Sequence, residues 1–500
     1  MPGGEVAGAL GGAPPARRPN CGRQFVPDAN GETDLDLPGA AAPRKGGAVA
    51  PFMGRLRPPV EPIPRIGPPK RRTSVTAFLA AALLAASIGA TANGAPSGAA
   101  DPVVITDWNA TMVATIVTDA GKGNAEGLLW YSFVQAAVYN AVNGITHRYE
   151  LYQWNVRGPR AASPEAAAAA AAHGVLLHYF PASATRLNTA YDASLAKIPD
   201  GSAKNQGVRY GERAAARIIE LRTDDGRNAP ITLDVPLAPG VWRPTPPANA
   251  PMFDPWLSQV RPLTLTSPDQ FRPAAPPALT STTYTTEFNE VKAFGAKTGS
   301  SRTELQTQTA LFFSDIPIGP LQGSLRDLAT RRGLDISDSA RLFAAADLSG
   351  ADSSIAAWDG KFHYHWWRPI TAIRLAADDG NDATAADPAW ESLLTNPAYP
   401  DYPSGLCNLM AAVGRSVTRV LGDGTIDLNI TSVAAGTPGS PLTRHYATAA
   451  DLNNEAIDAR VWSGIHFRTA DVVASQMGTQ VGDWALDHYF QPTPIAESGD

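Results

Sequence analysis

Two basic residues, Lys361 and Arg368, are separated by six residues in the aromatic-rich segment KFHYHWWRP, and Pro369 follows the arginine directly. In a continuous helix, seven residues make nearly two turns and would bring both cations to one face. The proline disfavours helix at the residue before it, so we expect Arg368 at a helix end. Such a pair could bind an oxyanion, although exposed cations beside an aromatic core helix would give the same pattern.

Two further segments could complete an oxyanion site. YPDYPSGLCNLM places Pro403-Ser404-Gly405 directly before an apolar helix, whose free N–H groups and dipole favour an anion. ARVWSGIHF contains Arg460 and His466, separated by five residues. A Pro-Ser-Gly turn alone is most often a helix start, and a single histidine is most often a core residue. Together, three cations, a helix N-terminus and an imidazole could hold a tetrahedral oxyanion and attack it in line.

The elements that position these residues are predicted to be helical. In residues 130–145 the apolar side chains recur every three or four positions, which is typical of an amphipathic helix. SPEAAAAAAAHGVLLHYFP follows, with Ser163 as an N-cap and Pro164 at the first helical position. Residues 222–282 are dense in Pro, Thr and Asp and predict a long irregular loop. With no sustained strand alternation, the sequence predicts an all-α protein with long Pro-rich loops.

Composition limits the classes of partner. The chain has 500 residues, of which 44% are hydrophobic and 18% charged, enough for a large core. Its net charge of −6 argues against nucleic acid as a partner, because phosphate backbones attract basic surfaces. The two cysteines, Cys21 and Cys407, are too few for a disulfide framework.

The N-terminal part is expected to lie outside the folded domain. Residues 1–70 are rich in Gly, Pro, Ala and Arg and are predicted to be disordered. Met53 would be a more ordinary start, which would place residues 1–52 upstream of the true start. Residues 71–92 resemble a signal peptide, with three cations, an apolar run of 14 residues and a small-x-small cleavage site at Ala90-Thr91-Ala92.

Export, to the periplasm or the extracellular space, is therefore predicted. Removal of the signal leaves residues 93–500 as a single α-helical domain that does not span a membrane. This domain has 30 basic and 41 acidic residues, a net charge of −11. An anion would be repelled at long range, so a site for it must concentrate its cations locally.

The order Lys-x6-Arg-Pro, Pro-Ser-Gly and Arg-x5-His resembles that of the vanadium-dependent haloperoxidases and the type 2 phosphatidic acid phosphatases. VQAAVYNAVNGI, RTELQTQTALFFSD and AAWDGKFHYHWWRPITAIR are similar to the secreted bacterial haloperoxidase-like branch of this superfamily. The likeness extends over roughly residues 101–490. It implies two helix bundles of the vanadium chloroperoxidase type, with vanadate, or phosphate in its place, bound at the core of one bundle.

The resemblance also implies a role for each matching residue. Lys361, Arg368 and Arg460 would neutralise the equatorial oxygens of the oxyanion. Ser404 would donate its hydroxyl to the oxyanion, and Gly405 its backbone N–H.

His466 would bind vanadium axially in a haloperoxidase, or attack phosphorus as the nucleophile in a phosphatase. Trp358 would line the pocket, and Tyr399 would lie over the oxyanion. In a haloperoxidase, Lys361 would polarise the bound peroxide, and halide would attack it to give hypohalous acid.

The chain departs from the family pattern at two positions. Leu406 stands where Pro-Ser-Gly is normally followed by a histidine that serves as acid and base, a role typically worth about 10²–10⁴-fold in rate. Ala470 stands where a carboxylate is usual, four residues after His466, and Asp471 is one residue further. Five residues turn a helix by about 140°, so Asp471 is not expected to meet the imidazole squarely.

Asp401, His363 and His365 are candidates to replace the acid and base missing at Leu406. Asp401, five residues before Leu406, is the better candidate. His363 and His365 flank Lys361 and are expected to pack among the aromatic residues. Cys407 is expected to be a small buried helix residue and not a nucleophile, because no base lies near it in sequence.

Three hypotheses remain open. The first is a vanadate-dependent haloperoxidase that uses hydrogen peroxide and halide. The second is an acid phosphatase that cleaves a phosphate ester through a phosphohistidine at His466. The third is a non-catalytic member that binds an oxyanion. The sequence leaves homo-oligomer formation open.

Overall fold

Helix α9 is the longest element of the fold and carries part of the predicted site. The computed structural model describes residues 100–314, 319–437 and 440–494. Within these ranges thirteen α-helices are present: α1 (Val103–Val113), α2 (Asn124–Thr146), α3 (Pro164–Tyr179), α4 (Ala184–Ala196), α5 (Ser202–Leu221), α6 (Thr282–Phe294), α7 (Glu304–Phe312), α8 (Gly319–Arg331), α9 (Ile336–Tyr364), α10 (Pro369–Arg374), α11 (Gly405–Leu421), α12 (Ala449–Trp462) and α13 (Arg468–His488). The all-α prediction is confirmed.

The first bundle is formed by α2, α3 and α5. Ser163 caps α3 by accepting a hydrogen bond from the Ala166 N–H, as the sequence predicted. The alanine-rich α3 packs closely on α5, where glycine is required at two positions. A Cβ on Gly207 would lie 2.3 Å from the Ser163 carbonyl oxygen, and one on Gly211 would lie 2.2 Å from that of Ala167. Small residues on both helices therefore set the spacing of this bundle.

The second bundle is formed by α9, α11, α12 and α13, and α2 packs along α9 to join the two bundles. Because α9 has neighbours on all sides, most of its residues are buried, including Asp347 and Asp352. This is a helix that is buried all round, not one with a single apolar stripe.

The long loop between α5 and α6 is irregular, as predicted, apart from a short 3₁₀ turn at Pro255–Gln259. Its middle is fixed to α9 by one carboxylate. Asp352 accepts hydrogen bonds from the backbone N–H groups of Leu263, Thr264 and Leu265 and from the Thr264 hydroxyl. A buried carboxylate with four donors can hold a loop that has few backbone bonds of its own.

The expectation that no strands occur was wrong in one place. Strands β1 (Leu428–Thr437) and β2 (Ser440–Tyr446) form an antiparallel hairpin between α11 and α12. Leu428, Ile430 and Ser432 alternate inward along β1 and are buried, while the residues between them are more exposed. The alternation is short and includes a serine, so the apolar pattern alone was too weak to indicate a strand.

The predicted disorder of residues 1–70 and the signal peptide at residues 71–92 lie outside the described residues and stay predictions. The described residues fall within one compact unit, residues 90–500. Across those residues, no helix combines the length and the apolar character needed to cross a membrane.

Candidate functional site: an oxyanion pocket

Lys361 and Arg368 lie close together, although they are not on one helix. Helix α9 ends at Tyr364, and His365 adopts a left-handed conformation with φ 39°. The chain then turns, and Arg368 is the extended N-cap residue of α10, with Pro369 at the first helical position. Arg368 lies at a helix end, as expected. Lys361 and Arg368 do not share a helical face, because α9 ends before the arginine.

Ser404 and Gly405 lie at the N-terminus of α11. Ser404 is the N-cap residue, yet its hydroxyl makes no capping hydrogen bond. The Ser404 side chain is fully buried, and its Oγ lacks a partner with good hydrogen-bond geometry. Its backbone N–H donates to the Ala470 carbonyl oxygen (2.9 Å), which ties the start of α11 to that of α13. The first N–H groups of α11 are therefore available to an anion, and the Ser404 hydroxyl lies near Asp471 without a well-formed hydrogen bond.

Arg460 and His466 come from the end of α12 and the link to α13. Gly464 makes the link possible: its φ is +76°, and a Cβ there would lie 2.4 Å from the Gly295 carbonyl oxygen. His466 is 1% exposed and is flanked by the buried residues Ile465 and Phe467. The Phe467 ring packs on Tyr284 with centroids 5.6 Å apart, which fixes the backbone next to the imidazole.

The predicted segments converge on Arg368. Its Nε donates to the Tyr399 carbonyl oxygen (2.9 Å), and its Nη1 donates to the Ile465 carbonyl oxygen (2.7 Å) and lies 3.2 Å from His466 Nε2. Lys361 Nζ donates to the carbonyl oxygens of Pro400 (2.8 Å) and Asp401 (3.0 Å). Residues more than 90 positions apart in sequence thus form one buried group.

Two aromatic rings cover the cations. Lys361 Nζ lies 5.0 Å from the centroid of the Tyr399 ring, and the Arg368 guanidinium carbon lies 4.9 Å from it. Trp358 packs on Tyr399 with ring centroids 5.0 Å apart and is 6.0 Å from Lys361 Nζ. These positions agree with the pocket-lining roles expected for both aromatics, and their faces attract the cations.

The environment of His466 favours a neutral ring with the proton on Nδ1. Burial lowers the pKa of His466 well below its usual range, and Arg368, Arg460 and Lys361 lower it further. Arg368 Nη1 is a donor, so Nε2 accepts and must carry the lone pair. Nδ1 lies 2.8 Å from Asp401 Oδ1, although the angle is not that of a full hydrogen bond. The Nε2 lone pair is thus on the side of the cations.

Asp401 has a different position in the structure from the one expected of a substitute acid. Asp401 is fully buried and faces His466 Nδ1, the nitrogen on the side away from the Nε2 lone pair. Burial raises its pKa well above the usual range, although Arg368 and Lys361 oppose the shift. Asp401 is therefore placed to orient the imidazole, a role that sequence spacing did not indicate.

Asp471 does not pair with the imidazole; it accepts a hydrogen bond from Cys407 Sγ (3.4 Å). Burial raises its pKa to about 7, while the Ser404 hydroxyl and the Arg460 guanidinium act in the opposite direction. Cys407 is 1% exposed and its pKa is raised well above the usual range by burial, which fits the prediction of an inert cysteine.

His363 and His365 lie away from this group. His363 is exposed and packs edge-on against Tyr364, and His365 ends α9 with its Nδ1 near the Phe362 carbonyl oxygen. His363 thus meets the expected aromatic packing only through its neighbour Tyr364, and it is exposed, not packed among the aromatic residues.

Several buried donors in the site have no partner. Arg368 Nη2, Arg460 Nε and Ser404 Oγ lack hydrogen bonds among the described residues. Burial lowers the pKa of Lys361 well below its usual range, and Arg368 lowers it further. Unpaired buried cations are costly, and a bound oxyanion would satisfy these donors. The residues therefore fit vanadate or phosphate, with Lys361, Arg368 and Arg460 on the oxygens and Nε2 of His466 on the central atom.

Leu406 lies beside this group, in a cavity of about 400 Å³. Arg460, His466, Gly405, Trp358 and Tyr399 also line the cavity. Asp401 does not line it. The leucine thus lines the same cavity as Arg460 and His466. The sequence did not indicate that Phe313 and Leu128, from distant helices, would face the same cavity.

Comparison with known proteins agrees with this geometry. Residues 341–493 match the family model of the VCPO second helical-bundle domain. Vanadium chloroperoxidase of Curvularia inaequalis is 30% identical over 173 residues, a match that covers 26% of this chain and 28% of that protein. The matched part thus spans less than a third of this curated relative.

Solved structures extend the likeness in fold to most of the chain. A bacterial vanadium-dependent iodoperoxidase superposes with a TM-score of 0.65 and 22% identity, covering 79% of this chain and 97% of that one. The holo form of a bacterial vanadium-dependent chloroperoxidase gives a TM-score of 0.63 and 20% identity, covering 78% and 97%. Together these matches support the resemblance to the vanadium haloperoxidase superfamily, in sequence over residues 341–493 and in fold over most of the chain.

Proposed function

We propose that the protein is an exported, vanadate-dependent haloperoxidase-like enzyme that oxidises halide with hydrogen peroxide. The observation that carries this proposal is the group of three buried basic side chains, Lys361, Arg368 and Arg460, of which Arg368 Nη2 and Arg460 Nε are unpaired and Arg368 Nη1 lies 3.2 Å from Nε2 of His466. The similar proteins, a vanadium chloroperoxidase and bacterial vanadium-dependent iodo- and chloroperoxidases, support the choice of vanadate as the bound group.

The chain's own residues would hold the oxyanion and its charge. Lys361, Arg368 and Arg460 neutralise the oxygens, and Asp401 keeps the His466 lone pair directed at the central atom. Bound vanadate would supply a Lewis acid at which hydrogen peroxide is activated for attack by halide. The overall reaction of peroxide, halide and one proton gives hypohalous acid and water. Leu406 cannot supply that proton, so it would come from solvent or from another group of the site.

The same geometry supports acid phosphatase activity as a second candidate. Nε2 of His466 is an unprotonated nitrogen, as a nucleophile requires, and the cations would hold a phosphoryl group equally well. A paired assay on the purified protein separates the two functions: halide oxidation with added vanadate, and hydrolysis of a generic phosphomonoester. Activity in neither assay would leave a non-catalytic oxyanion-binding protein.

Arg460→Ala tests the site itself. Arg460 comes from a different helix from Lys361 and Arg368, and its Nε has no protein partner, so its loss should act on the ligand directly. Hydrogen bonds to charged groups are worth about 1.5–3 kcal/mol, so we expect vanadate and phosphate affinity to fall by about 10- to 100-fold. Calorimetry measures this fall, with Arg209→Ala, at an exposed position of α5, as the matched control. Unchanged affinity in a folded Arg460→Ala protein would contradict the site.

A further inference from the structure

Ser404 and Asp471 are neighbouring buried residues, and each has a polar atom without a partner. The Ser404 backbone N–H donates to the Ala470 carbonyl oxygen (2.9 Å), which holds the start of α11 against the first turn of α13. Both side chains are 0% exposed. Ser404 Oγ and Asp471 Oδ2 lack a hydrogen bond among the described residues, although the hydroxyl lies near the carboxyl group. Buried polar atoms are nearly always paired, so this pair of atoms requires an explanation.

The other contacts of Asp471 leave Oδ2 for the Ser404 hydroxyl. Cys407 Sγ, in the third residue of α11, donates to Asp471 Oδ1 (3.4 Å). None of the charged groups around the carboxyl group hydrogen-bonds Oδ2 in the described part of the chain. These groups are Arg460 on α12, Arg468 on α13, and Lys361, Arg368 and Asp401 of the oxyanion site.

A serine hydroxyl has a single proton to donate, and this limits what Ser404 can do. When Asp471 is ionised, its carboxylate is a strong acceptor for that proton, and Oγ then presents only lone pairs to an oxyanion. When Asp471 is protonated, its own O–H can donate to Oγ, and the Ser404 proton is free for the oxyanion. Ser404 can therefore donate to an oxyanion only while Asp471 holds a proton.

The surroundings of Asp471 allow this change of charge near neutral pH. Burial raises the pKa of Asp471 to about 7, while the Ser404 hydroxyl and the Arg460 guanidinium act in the opposite direction. A bound oxyanion would add negative charge beside Ser404 and would favour the protonated carboxyl group further. Because such coupling is reciprocal, a proton on Asp471 must strengthen oxyanion binding by the same factor.

We propose that Asp471 controls the Ser404 hydroxyl, so that oxyanion binding is coupled to the uptake of one proton by the Asp471 carboxylate. The inference rests on the proposed oxyanion site and adds how that site responds to pH. The proton comes from solvent and stays on Asp471 while the oxyanion is bound. Asp471 acts through Ser404 and is a positioning residue, distinct from Asp401, which faces the imidazole.

Calorimetry with inorganic phosphate, in buffers of different ionisation enthalpy, counts the protons taken up on binding. Asp471→Asn keeps a donor for Ser404 Oγ but cannot titrate. At pH 8 the parent protein should take up as much as about one more proton than this variant, and at pH 5.5 the two should take up the same number, because Asp471 already holds its proton there. Ionisation of phosphate itself is common to both proteins and cancels in the difference.

The affinities should follow the same linkage. Above pH 7, the phosphate affinity of the parent protein should fall relative to that of Asp471→Asn, by up to about 10-fold per pH unit. Asp192→Asn, at an exposed position of α4, is the matched control and should behave as the parent protein does at both pH values.

Ser404→Ala separates control of the hydroxyl from simple charge repulsion. This variant keeps the carboxylate and loses the group through which it acts, so most of the extra proton seen at pH 8 should disappear. If Ser404→Ala keeps the whole extra proton, Asp471 acts by charge alone and the assignment is wrong. The comparison with the parent protein does not require Asp471→Asn to fold.

The outcomes also separate this inference from the proposed function. If phosphate binds but proton uptake at pH 8 is the same in the parent protein, Asp471→Asn and Ser404→Ala, the coupling is wrong and the oxyanion site stands. If phosphate fails to bind the parent protein at either pH, the oxyanion site is wrong and the coupling falls with it.

Discussion

The two nitrogens of His466 have opposite surroundings. Arg368 Nη1 lies 3.2 Å from Nε2, and Asp401 Oδ1 lies 2.8 Å from Nδ1. An arginine can only donate, so the ring has one tautomer available while it is neutral. The carboxylate stabilises that tautomer and the orientation of the ring. The usual carboxylate four residues after the histidine is absent from this chain, and Asp401 provides a carboxylate from the other side of the site.

Asp401→Asn tests this role. The amide has nearly the same shape but cannot carry the carboxylate charge, so the imidazole should lose its fixed orientation. Loss of such a supporting group typically lowers metal affinity or activity by about 10- to 100-fold, and we expect a fall of this size in vanadate affinity. Calorimetry measures the affinity, and Asp471→Asn is the comparison, because Asp471 contacts Cys407 instead of the imidazole. Equal losses in the two variants would contradict a specific role for Asp401.

Leu406 raises a separate question, because it occupies the position from which a histidine would transfer protons. Its side chain lines the same cavity as Arg460 and His466, so a histidine there would be near the bound oxyanion. Leu406→His should raise turnover in the halide or ester assay, by up to about the 10²–10⁴-fold range of general acid–base catalysis.

Leu409→His is the matched control for this gain. Leu409 lines the cavity too, but it lies three residues further along α11 and is 3% exposed. A histidine there should not raise turnover. If Leu406→His has no effect on turnover in a folded protein, the account of Leu406 as a lost acid and base is wrong.

At the level of elements, the sequence predicted local structure well, but it did not indicate which residues distant in sequence contact each other. The Ser163 cap, the helix over residues 130–145 and the loop after α5 follow from local rules, and the structure contains all three. The single apolar stripe predicted for that helix was wrong, because its polar residues Gln135 and Asn140 are buried as well.

The approach of Arg368 to His466 depends on how α9, α10 and the α12–α13 link pack, which no local pattern records. For the same reason the spacing indicates that Asp471 does not meet His466, but it cannot show that Asp401 takes that position.

The loop between α5 and α6 is bound to α9 by a residue that sequence spacing could not identify. Asp352 lies in the middle of an apolar helix and accepts four hydrogen bonds from Leu263, Thr264 and Leu265. In the sequence it is one of several acidic residues in α9, and only the structure distinguishes it.

Asp352→Ala should therefore destabilise the protein and loosen the loop. Removal of the acceptor leaves four buried donors unpaired, each costing about 1–3 kcal/mol, so we expect a loss of at least about 3 kcal/mol of unfolding free energy. Urea denaturation measures the loss, and limited proteolysis should cut within residues 222–281 sooner than in the parent protein. Asp192→Ala, at an exposed position of α4, is the control. An unchanged cleavage rate in Asp352→Ala would show that the loop is held elsewhere.

At the scale of the whole molecule, the sign of the charge differs between surface and site. Residues 93–500 carry a net charge of −11, yet the pocket concentrates three buried cations. Long-range repulsion slows the approach of anions, and short-range pairing holds them once bound.

The predicted export of the chain can be tested by N-terminal sequencing. The protein recovered from its host should begin downstream of residue 75.

The stability of the whole domain should also depend on pH through a carboxyl group far from the site. Asp347 in α9 is 1% exposed and accepts one hydrogen bond from Gln322 Nε2, while its Oδ2 has no partner among the described residues. Burial raises its pKa to about 8. Between the unfolded pKa of about 4 and this value, the folded protein keeps a proton that the unfolded chain has lost.

Because the folded state binds the extra proton, stability falls as pH rises through this range. The slope from Asp347 approaches about 1.4 kcal/mol per pH unit between pH 5 and pH 8 and disappears above the folded pKa. In Asp347→Asn the neutral amide removes this contribution, so the free energy of unfolding should fall less steeply with pH than in the parent protein. Urea denaturation at pH 5.5, 6.5 and 7.5 measures both slopes, with the exposed substitution Asp192→Asn as the control. Parallel slopes in Asp347→Asn and the parent would mean that Asp347 is already ionised in the folded protein, with water or a bound cation supplying its missing partner.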